Sequence, residues 1–394
     1  MNQNEDYRFD LAVYAGQEFI SKVKAITEEE ETPFLVVDLK RVAQKYDALE
    51  EALPEAKIYY AVKANPHDDV LRLLIQRGSF FDFASPYELD QLLFLGADPE
   101  KLSYGNPIKK ARHIAYVYKR GVRLFACDSE SDLKKIAENA PGSRVFFRIL
   151  TSGEGADWPL SRKFGAEREV ISRLIPMARD LGVIPAGISF HVGSQQKNLA
   201  QWEPSIAEAR ALFDEAAALG IKMTLLNLGG GFPARYLDPL PPLSAYRDAI
   251  MDSLHRHFPE GFPELIIEPG RYMVGEAGVL VTEVVMIANK SGHPEDTPWM
   301  FLDAGKFGGL AETLDEAIKY PIYSERTGAA REYILAGPTC DSADVMYEKY
   351  KYRLPVSVQE GDYLYIFSTG AYTSTYSSIA FNGLPPLATY VIDD

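Results

Sequence analysis

The central part of the chain alternates short apolar runs with longer amphipathic segments, and this alternation constrains the fold more than any other feature. The runs are rich in β-branched and aromatic residues, and most carry apolar residues in succession, which is typical of strands covered on both faces. They are residues 58–62, 80–84, 102–105, 123–127, 144–149, 187–192, 223–228 and 264–268. The helix-like segments between them include 86–95, 109–119, 129–138 and 202–219.

This order of elements indicates two domains of different class. Eight strands that alternate with helices predict a (β/α)8 barrel of the TIM type, with an open doubly wound sheet as the alternative. No Gly-x-Gly-x-x-Gly turn follows the first run, which disfavours the doubly wound sheet. Beyond residue 276 strand-like runs dominate, at 278–287, 331–336, 354–358 and 362–367. We predict a barrel over 38–276 and a mainly β domain over 277–394, joined by one or more strands from 1–37, where 33–37 is strand-like.

The segment 86–95 carries the start signals of a helix. Ser85 can cap the helix, Pro86 suits the first helical position, and Glu88 is placed to complete a capping box. We therefore predict a helix that begins at Pro86.

Charge and cysteine usage exclude several classes of partner. The 394-residue chain has a formal net charge of -15, which disfavours nucleic acid and anionic membranes. No apolar run approaches the roughly 18 residues that cross a membrane, and the polar N-terminus lacks the pattern of a secretory signal. Cys127 and Cys340 are too far apart to suggest a zinc site or a disulfide framework. We expect a cytoplasmic protein with no nucleic-acid partner, no membrane partner and no metal.

Polar and titratable residues follow the ends of the predicted barrel strands. In barrels of this type the active site lies at the face where the strands end. The residues at those positions are Lys63, Asp82, Asn106, Asp128, Arg148, His191, Gly229 and Glu268. We therefore predict an enzyme. Burial at the end of the first run would lower the pKa of Lys63 and favour Schiff-base chemistry, although a snorkelling or salt-bridged lysine is the alternative.

Two later segments suit a phosphorylated cofactor that contains a ring nitrogen. Gly229, Gly230 and Gly231 follow the seventh run, where barrels commonly bind phosphate, and successive glycines let backbone amides approach an anion. A flexible turn is the alternative. Glu268 follows the eighth run, where a carboxylate can keep a pyridine nitrogen protonated, and Arg271 can bind phosphate. An internal ion pair between these two residues is the alternative.

Two further segments carry residues that can contact a cofactor or take part in proton transfer. His191 can stack on a cofactor ring and Ser194 can donate to phosphate, unless His191 is an ordinary core histidine. Cys340 can shuttle a proton and Asp341 can bind a cation, in a loop that the Gly337-Pro338 step marks as tight. For the thiol, a small buried hydrophobe is the alternative.

Taken together, these motifs resemble the fold-type III pyridoxal phosphate (PLP) decarboxylases of the alanine-racemase-like fold. The branch they resemble most is the ornithine decarboxylase and lysine/ornithine decarboxylase family. The similarity runs in the family's order over nearly the whole chain. The matching segments are YAVKAN at 60–65, FDFAS at 81–85, LSRKFG at 160–165, HVGSQ at 191–195, GGGFP at 229–233, EPGRY at 268–272, GPTCD at 337–341 and GAYT at 370–373.

The resemblance implies decarboxylation of L-ornithine and/or L-lysine to putrescine and/or cadaverine, with PLP as the cofactor. Lys63 would bind the cofactor covalently, His191 would stack on its ring, and Glu268 would hold the pyridine nitrogen. The remaining cofactor contacts implied are Asp82, Arg148, Ser194, Gly229, Gly230, Gly231, Arg271 and Tyr372, of which Tyr372 also lies at the substrate.

The resemblance also implies a homodimer whose two active sites are shared between subunits. Cys340 of one subunit would protonate Cα of a substrate bound to the other, and Asp341 would bind its distal ammonium group. Lys163 and Asp344 match a pair that bridges the family's dimer interface. Glu88 matches an acidic residue near the family's active site.

The chain departs from the ornithine enzymes over 303–316, where that group carries a substrate-binding aspartate. Glu312, Asp315 and Glu316 are the candidates here, and we favour Asp315. Because one methylene group changes substrate discrimination by only about 1–3 kcal/mol, the choice between ornithine and lysine stays open.

Three related functions compete with this interpretation. In diaminopimelate decarboxylases the corresponding loop resembles Cys-Glu-Ser, whereas this chain has Cys340-Asp341-Ser342. Racemases of this fold pair the pyridine nitrogen with arginine, whereas this chain has Glu268. Non-catalytic homologues such as antizyme inhibitors lose cofactor contacts, whereas this chain keeps Lys63, Glu268, Arg271 and Cys340.

Overall fold

The computed structural model describes residues 6–158, 163–291, 293 and 295–393. The chain divides into two compact units. The barrel unit comprises Ala43–Pro233 and Leu240–Tyr272, and the second unit comprises Met1–Val42, Ala234–Pro239 and Met273–Asp394. No helix in the described ranges is both long enough and apolar enough to span a bilayer.

The barrel unit is built on a closed barrel of eight parallel strands. In chain order the strands are Ala56–Ala61, Phe80–Phe83, Leu102–Tyr104, Leu124–Cys127, Arg144–Arg148, Ile184–Ser189, Leu225–Asn227 and Glu264–Ile267. The eighth strand closes the barrel on the first, with Leu265 opposite Ala56. The predicted (β/α)8 barrel is confirmed, and each predicted run overlaps one barrel strand.

Apolar side chains fill the interior of the barrel. One buried cluster combines residues from six strands: Tyr59, Leu124, Ala126, Phe146, Ala186, Leu225 and Ile266. The ring of Phe80, in the second strand, stacks on Tyr59 with 4.9 Å between centroids. A packed interior restricts ligands to the loops beyond the strand ends.

Helices follow the barrel strands around the outside. After Leu39–Ala52, which precedes the first barrel strand, they are Asp68–Gln76, Pro86–Phe94, Ala111–Lys119, Glu130–Asn139, Arg168–Asp180, Trp202–Ala218 and Leu243–His257. The predicted helix start at Pro86 is confirmed, and Ser85 Oγ accepts from the N–H of Glu88 at 3.3 Å. The Glu88 carboxylate accepts in return from the N–H of Ala84 at 2.5 Å. The return bond of the capping box thus reaches one residue further back than predicted and ties the helix to the second strand.

The second unit is a mostly β structure, as predicted. Its sheet contains Phe34–Asp38, Gly278–Ala288, Trp299–Leu302, Ile322–Ser324, Ala330–Ala336, Val345–Pro355, Tyr363–Phe367 and Ala388–Ile392. The N-terminal strand Phe34–Asp38 pairs antiparallel with Gly278–Ala288 and parallel with Ala388–Ile392. The helix Gln17–Glu29 packs on this sheet through Ile20 and Val23.

The prediction of a strand at 354–358 is wrong. The strand there is Val345–Pro355, and the chain turns directly after it, with the N–H of Val358 donating to Pro355 O at 3.2 Å. The apolar-run criterion missed most of this strand because its middle is exposed and charged, from Glu348 to Lys351.

Candidate active site

Lys63 lies at the end of the first barrel strand, in the short 3-10 helix Val62–Ala64. Val62 and Ala64 are buried, whereas Lys63 itself is exposed. The expectation that burial lowers the pKa of Lys63 therefore rests on a wrong premise. The lysine is thus anchored by buried neighbours on both sides. Its charge acts on the pKa values of Asp82, Glu88 and His191.

Asp82, in the second strand, is a buried carboxyl group beside a second carboxylate. It is 7% exposed, and burial together with the nearby charge of Glu268 raises the pKa of Asp82 well above its ordinary value, against the effect of Lys63. Within the described residues, Asp82 Oδ1 is buried without a hydrogen-bond partner. A Cβ on Gly105 would lie 1.9 Å from this atom, so a larger residue there would displace the Asp82 carboxylate. A buried polar atom of this kind points to a ligand.

Glu268, after the eighth strand, is held by a residue that the sequence analysis missed. Asn227 Nδ2 donates to Glu268 Oε1 at 2.5 Å, and Asn227 Oδ1 accepts from the N–H of Gly229 at 2.9 Å. Asn227 thus fixes both the carboxylate and the start of the glycine turn. The sequence signal that could have identified Asn227 was an amide residue at the end of the seventh strand, which is otherwise apolar.

Gly229, Gly230 and Gly231 form a fixed turn rather than a flexible one. Gly229 and Gly231 have φ values of +67° and +100°, in the region that favours glycine. An added Cβ would lie 2.1 Å from Phe190 O at Gly229, 2.6 Å from Glu268 O at Gly230, and 2.7 Å from Gly193 O at Gly231. All three positions therefore need glycine.

The buried Arg271 and the partly buried Ser194 form a polar pair in the same unit. The Nε and Nη2 groups of Arg271 each donate to Ser194 Oγ at 3.1 Å. Arg271 begins the short helix Arg271–Val274, and Ser194 begins the strand Ser194–Gln196, which pairs with Ala156–Trp158. A buried guanidinium beside a hydroxyl group provides donors of the kind that bind phosphate.

His191 is a neutral imidazole in this environment. Burial lowers the pKa of His191 well below its ordinary value, and the charges of Arg148 and Lys63 act in the same direction. His191 Nδ1 accepts from the N–H of Gly193 at 3.0 Å, which leaves the proton of the neutral ring on Nε2. Burial lowers the pKa of Arg148 too, although Glu268 and other carboxylates oppose this. The Arg148 guanidinium lies 5.0 Å from the centre of the Phe164 ring.

The other predicted site residues belong to the second unit. Cys340 is exposed, and its N–H donates to Asn382 Oδ1 at 2.9 Å, which excludes the buried-hydrophobe alternative. Asp341 Oδ1 accepts from the N–H of Ala343 at 2.8 Å. Tyr372 has φ +56°, and its ring centre lies 5.8 Å from that of Tyr376.

Asp344 organises the loop that carries Cys340. It is 2% exposed, and its carboxylate accepts from the N–H of Lys306 at 2.8 Å and from the N–H and hydroxyl of Thr339 at 3.1 and 2.8 Å. Lys163 is exposed. The pairing of Lys163 with Asp344 across a dimer interface stays a prediction. Residues 160–162 of the LSRKFG motif lie outside the described residues.

The three acidic candidates near residue 312 differ in their surroundings. The Glu316 carboxylate accepts from the N–H groups of Glu348, Lys349 and Tyr350, at 2.8, 2.7 and 2.8 Å. Burial by itself would raise the pKa of Glu316, but these three bonds outweigh burial and the pKa is lowered. Glu316 is therefore structural. Glu312 is buried, and Asp315 is exposed in the left-handed conformation, with φ +53°.

A buried ion pair near the strand ends was also missed. Lys109 Nζ lies 2.5 Å from Asp132 Oδ2 and donates to the carbonyl oxygens of Ala126 at 2.7 Å and Asn106 at 3.0 Å. Burial lowers the pKa of Lys109, and Asp132 opposes this. The two residues are 23 positions apart, so no local pattern connects them.

Comparison with known proteins identifies the family. Residues 39–275 match a family model described as the pyridoxal-binding domain of pyridoxal-dependent decarboxylases. Over 375 residues the chain is 35% identical to a lysine/ornithine decarboxylase from Selenomonas ruminantium, which covers 95% of this chain and 93% of that relative. The chain belongs to the pyridoxal-dependent decarboxylases.

Two further relatives carry different names. The structure of a lysine/ornithine decarboxylase from Vibrio vulnificus, complexed with putrescine, has a TM-score of 0.84 and 28% identity, and covers 96% of this chain and 99% of that one. Antizyme inhibitor 2 from Xenopus laevis is 33% identical over 380 residues, which cover 93% of this chain and 82% of that protein.

The residues at the barrel face fit PLP, the cofactor of this family. The fixed glycine turn and the Arg271–Ser194 pair suit a phosphate group. The unpartnered Asp82 Oδ1 and the Glu268 carboxylate suit a polar ring, and the exposed Lys63 suits a covalent bond to the aldehyde.

Proposed function

We propose that this protein uses PLP to decarboxylate L-lysine and/or L-ornithine, with cadaverine and/or putrescine as products. The observation that carries the proposal is the Glu268 carboxylate after the eighth strand, held by Asn227 and close enough to raise the pKa of Asp82. A carboxylate at this place holds a proton on a pyridine nitrogen, as decarboxylation requires and as an arginine does not. The names of the Selenomonas and Vibrio relatives supply the substrates.

Each site residue has a distinct role in the proposed reaction. PLP supplies an electron sink for the electron pair that carbon dioxide leaves behind. Lys63 would hold the cofactor covalently, Glu268 would keep its ring nitrogen protonated, and neutral His191 would stack on its ring without adding a positive charge. Asp82 and Arg148 would support the ring. The phosphate would be held by Gly229, Gly230, Gly231, Ser194, Arg271 and Tyr372.

We further propose a cytoplasmic homodimer with shared sites, in which 38–276 and 277–394 act as the two domains. The exposed Cys340 thiol would deliver a proton to Cα of a substrate bound to the other subunit, and the Asp341 carboxylate would bind the distal ammonium group. Since Glu316 is bound to backbone N–H groups, Glu312 and Asp315 remain as the acids for the substrate end, and we favour the exposed Asp315. Because the two substrates differ by one methylene group, which changes discrimination by only about 1–3 kcal/mol, either or both can be the substrate.

A spectrum and a substrate panel test the proposal. The purified protein is expected to show the visible absorbance of lysine-bound PLP, and Lys63→Ala is expected to lose it. Carbon dioxide release is measured with L-ornithine, L-lysine, L-arginine and meso-diaminopimelate in parallel. Release from ornithine or lysine supports the proposal, and release from meso-diaminopimelate alone would replace it with that activity. A colourless protein inactive on all four would place the chain with the non-catalytic relatives.

A further inference from the structure

Gln196 is a fully buried residue that bonds to both loops of the proposed phosphate site. It is 0% exposed. Its Nε2 donates to Val192 O at 2.8 Å and to Glu154 O at 3.0 Å, and its Oε1 accepts from the N–H of Asn198 at 2.9 Å. Both N–H donors of the amide are thus used, and all of these partners are backbone groups.

The side chain of Gln196 closes the turn that presents Ser194. The bond from Nε2 to Val192 O spans Gly193, Ser194 and Gln195. On either side of Ser194, Gly193 has φ +97° and Gln195 has φ +59°. A left-handed residue other than glycine is held only where the surroundings impose it, so this turn needs a clamp. The clamped Ser194 is the residue that receives both bonds from Arg271.

The backbone of Gln196 holds the glycine turn. Its N–H donates to Gly231 O at 2.9 Å. The two loops touch, because a Cβ on Gly231 would lie 2.7 Å from Gly193 O. One residue therefore fixes Ser194 through its side chain and Gly231 through its main chain.

We propose that Gln196 is a positioning residue for the phosphate of PLP. It sets the places of Ser194 and Gly231, and through Ser194 that of Arg271, so that all three converge on one anion. This inference rests on the proposed function, because it takes the anion at this site to be the cofactor's phosphate. Gln196 acts through these groups, and its own amide is used by backbone partners.

The test compares PLP with pyridoxal, which lacks the phosphate. Dissociation constants of both are measured for the apoprotein of the wild type and of Gln196→Met, which keeps the length of the side chain without its hydrogen bonds. The affinity ratio of PLP to pyridoxal is expected to fall about tenfold or more, the usual effect of removing a residue that supports a binding site. Inorganic phosphate is expected to compete less well with PLP in the variant.

Gln91→Met is the matched control. Gln91 also donates two bonds through Nε2, to Pro66 O and to Asp68 Oδ1, both at 2.7 Å, in the same unit. The control loses the same kind of bonds, so its thermal stability is expected to fall, whereas its affinity ratio stays at the wild-type value. If Gln196→Met weakens PLP and pyridoxal equally, Gln196 is only a core residue and the inference is wrong.

A second pair of variants serves if Gln196→Met does not fold. A Cβ on Gly155, where φ is +79°, would lie 2.9 Å from Asn198 Cβ and 3.0 Å from Gln196 Oε1, so Gly155→Ala pushes on Gln196 and on its partner Asn198. Gly182 has the same φ, and an added Cβ there meets nothing within 4 Å. Gly155→Ala is expected to lower the affinity ratio and Gly182→Ala to leave it unchanged, and equal ratios would refute the inference. A wild-type protein that binds PLP no better than pyridoxal would refute the proposed phosphate site itself.

Discussion

Loss of the Lys109 charge is predicted to destabilise the barrel unit more than loss of the whole ion pair. Lys109 and Asp132 are both buried, 2.5 Å apart. Lys109→Met leaves a buried carboxylate without its main partner, a change that costs about 3–5 kcal/mol. Lys135 Nζ, 3.2 Å from Asp132 Oδ1, compensates in part, so we expect the lower end, about 3 kcal/mol.

The double variant Lys109→Met/Asp132→Leu removes both charges. It still leaves the carbonyl oxygens of Asn106 and Ala126 without the donor they have in the wild type, at about 1 kcal/mol each. We therefore expect a destabilisation of about 2 kcal/mol, smaller than that of the single variant.

Urea and thermal unfolding of the apoprotein, followed by circular dichroism, measure both changes. For a unit of this size about 3 kcal/mol corresponds to a drop in Tm of roughly 6–12 °C. Lys109→Arg, which keeps the charge, is the control and is expected to lie between the wild type and Lys109→Met. A double variant less stable than Lys109→Met, or a single variant as stable as the wild type, would refute the reasoning.

Three further predictions concern the site itself. The raised pKa of Asp82 means that the folded state binds this proton more tightly than the unfolded state, so its contribution to stability is lost as pH rises through the raised pKa. Asp82→Asn is therefore expected to stabilise the apoprotein at neutral pH by about 0.5–2 kcal/mol while lowering activity, and a gain that does not grow with pH in denaturant titrations would contradict this. Gly231→Ala, with its Cβ 2.7 Å from Gly193 O, is expected to weaken PLP binding at least about tenfold in fluorescence titrations, and unchanged affinity would contradict the fixed turn. Inactive Lys63→Ala and Cys340→Ala proteins, mixed and allowed to exchange subunits, are expected to regain about a quarter of the wild-type activity if sites are shared in a dimer, whereas no recovery would count against shared sites.

Local sequence patterns predicted the barrel because its strands are buried on both faces and therefore appear as apolar runs. The same criterion failed for Val345–Pro355, whose middle is exposed and charged, and it misplaced a strand at 354–358. An edge or half-exposed strand carries little apolar signal, so only some strands of the second unit were predicted one by one.

The site was predictable where function depends on the place of a residue at a strand end. Lys63, Asp82, His191 and Glu268 became candidates in this way. The supporting residues were not, because Asn227 bonds to a carboxylate 41 positions away and Gln196 bonds to a carbonyl 42 positions away. Spacing alone does not separate Glu316, bound to backbone N–H groups, from its acidic neighbours. Such contacts are created by the fold and leave no periodic pattern in the sequence.

The most direct test of the central claim is the amine formed by the purified PLP-loaded protein from L-lysine and from L-ornithine, measured beside Lys63→Ala. We predict cadaverine or putrescine in amounts equal to the carbon dioxide released, with no product from the variant. PLP-loaded protein that forms neither amine, or a Lys63→Ala variant as active as the wild type, would contradict the account.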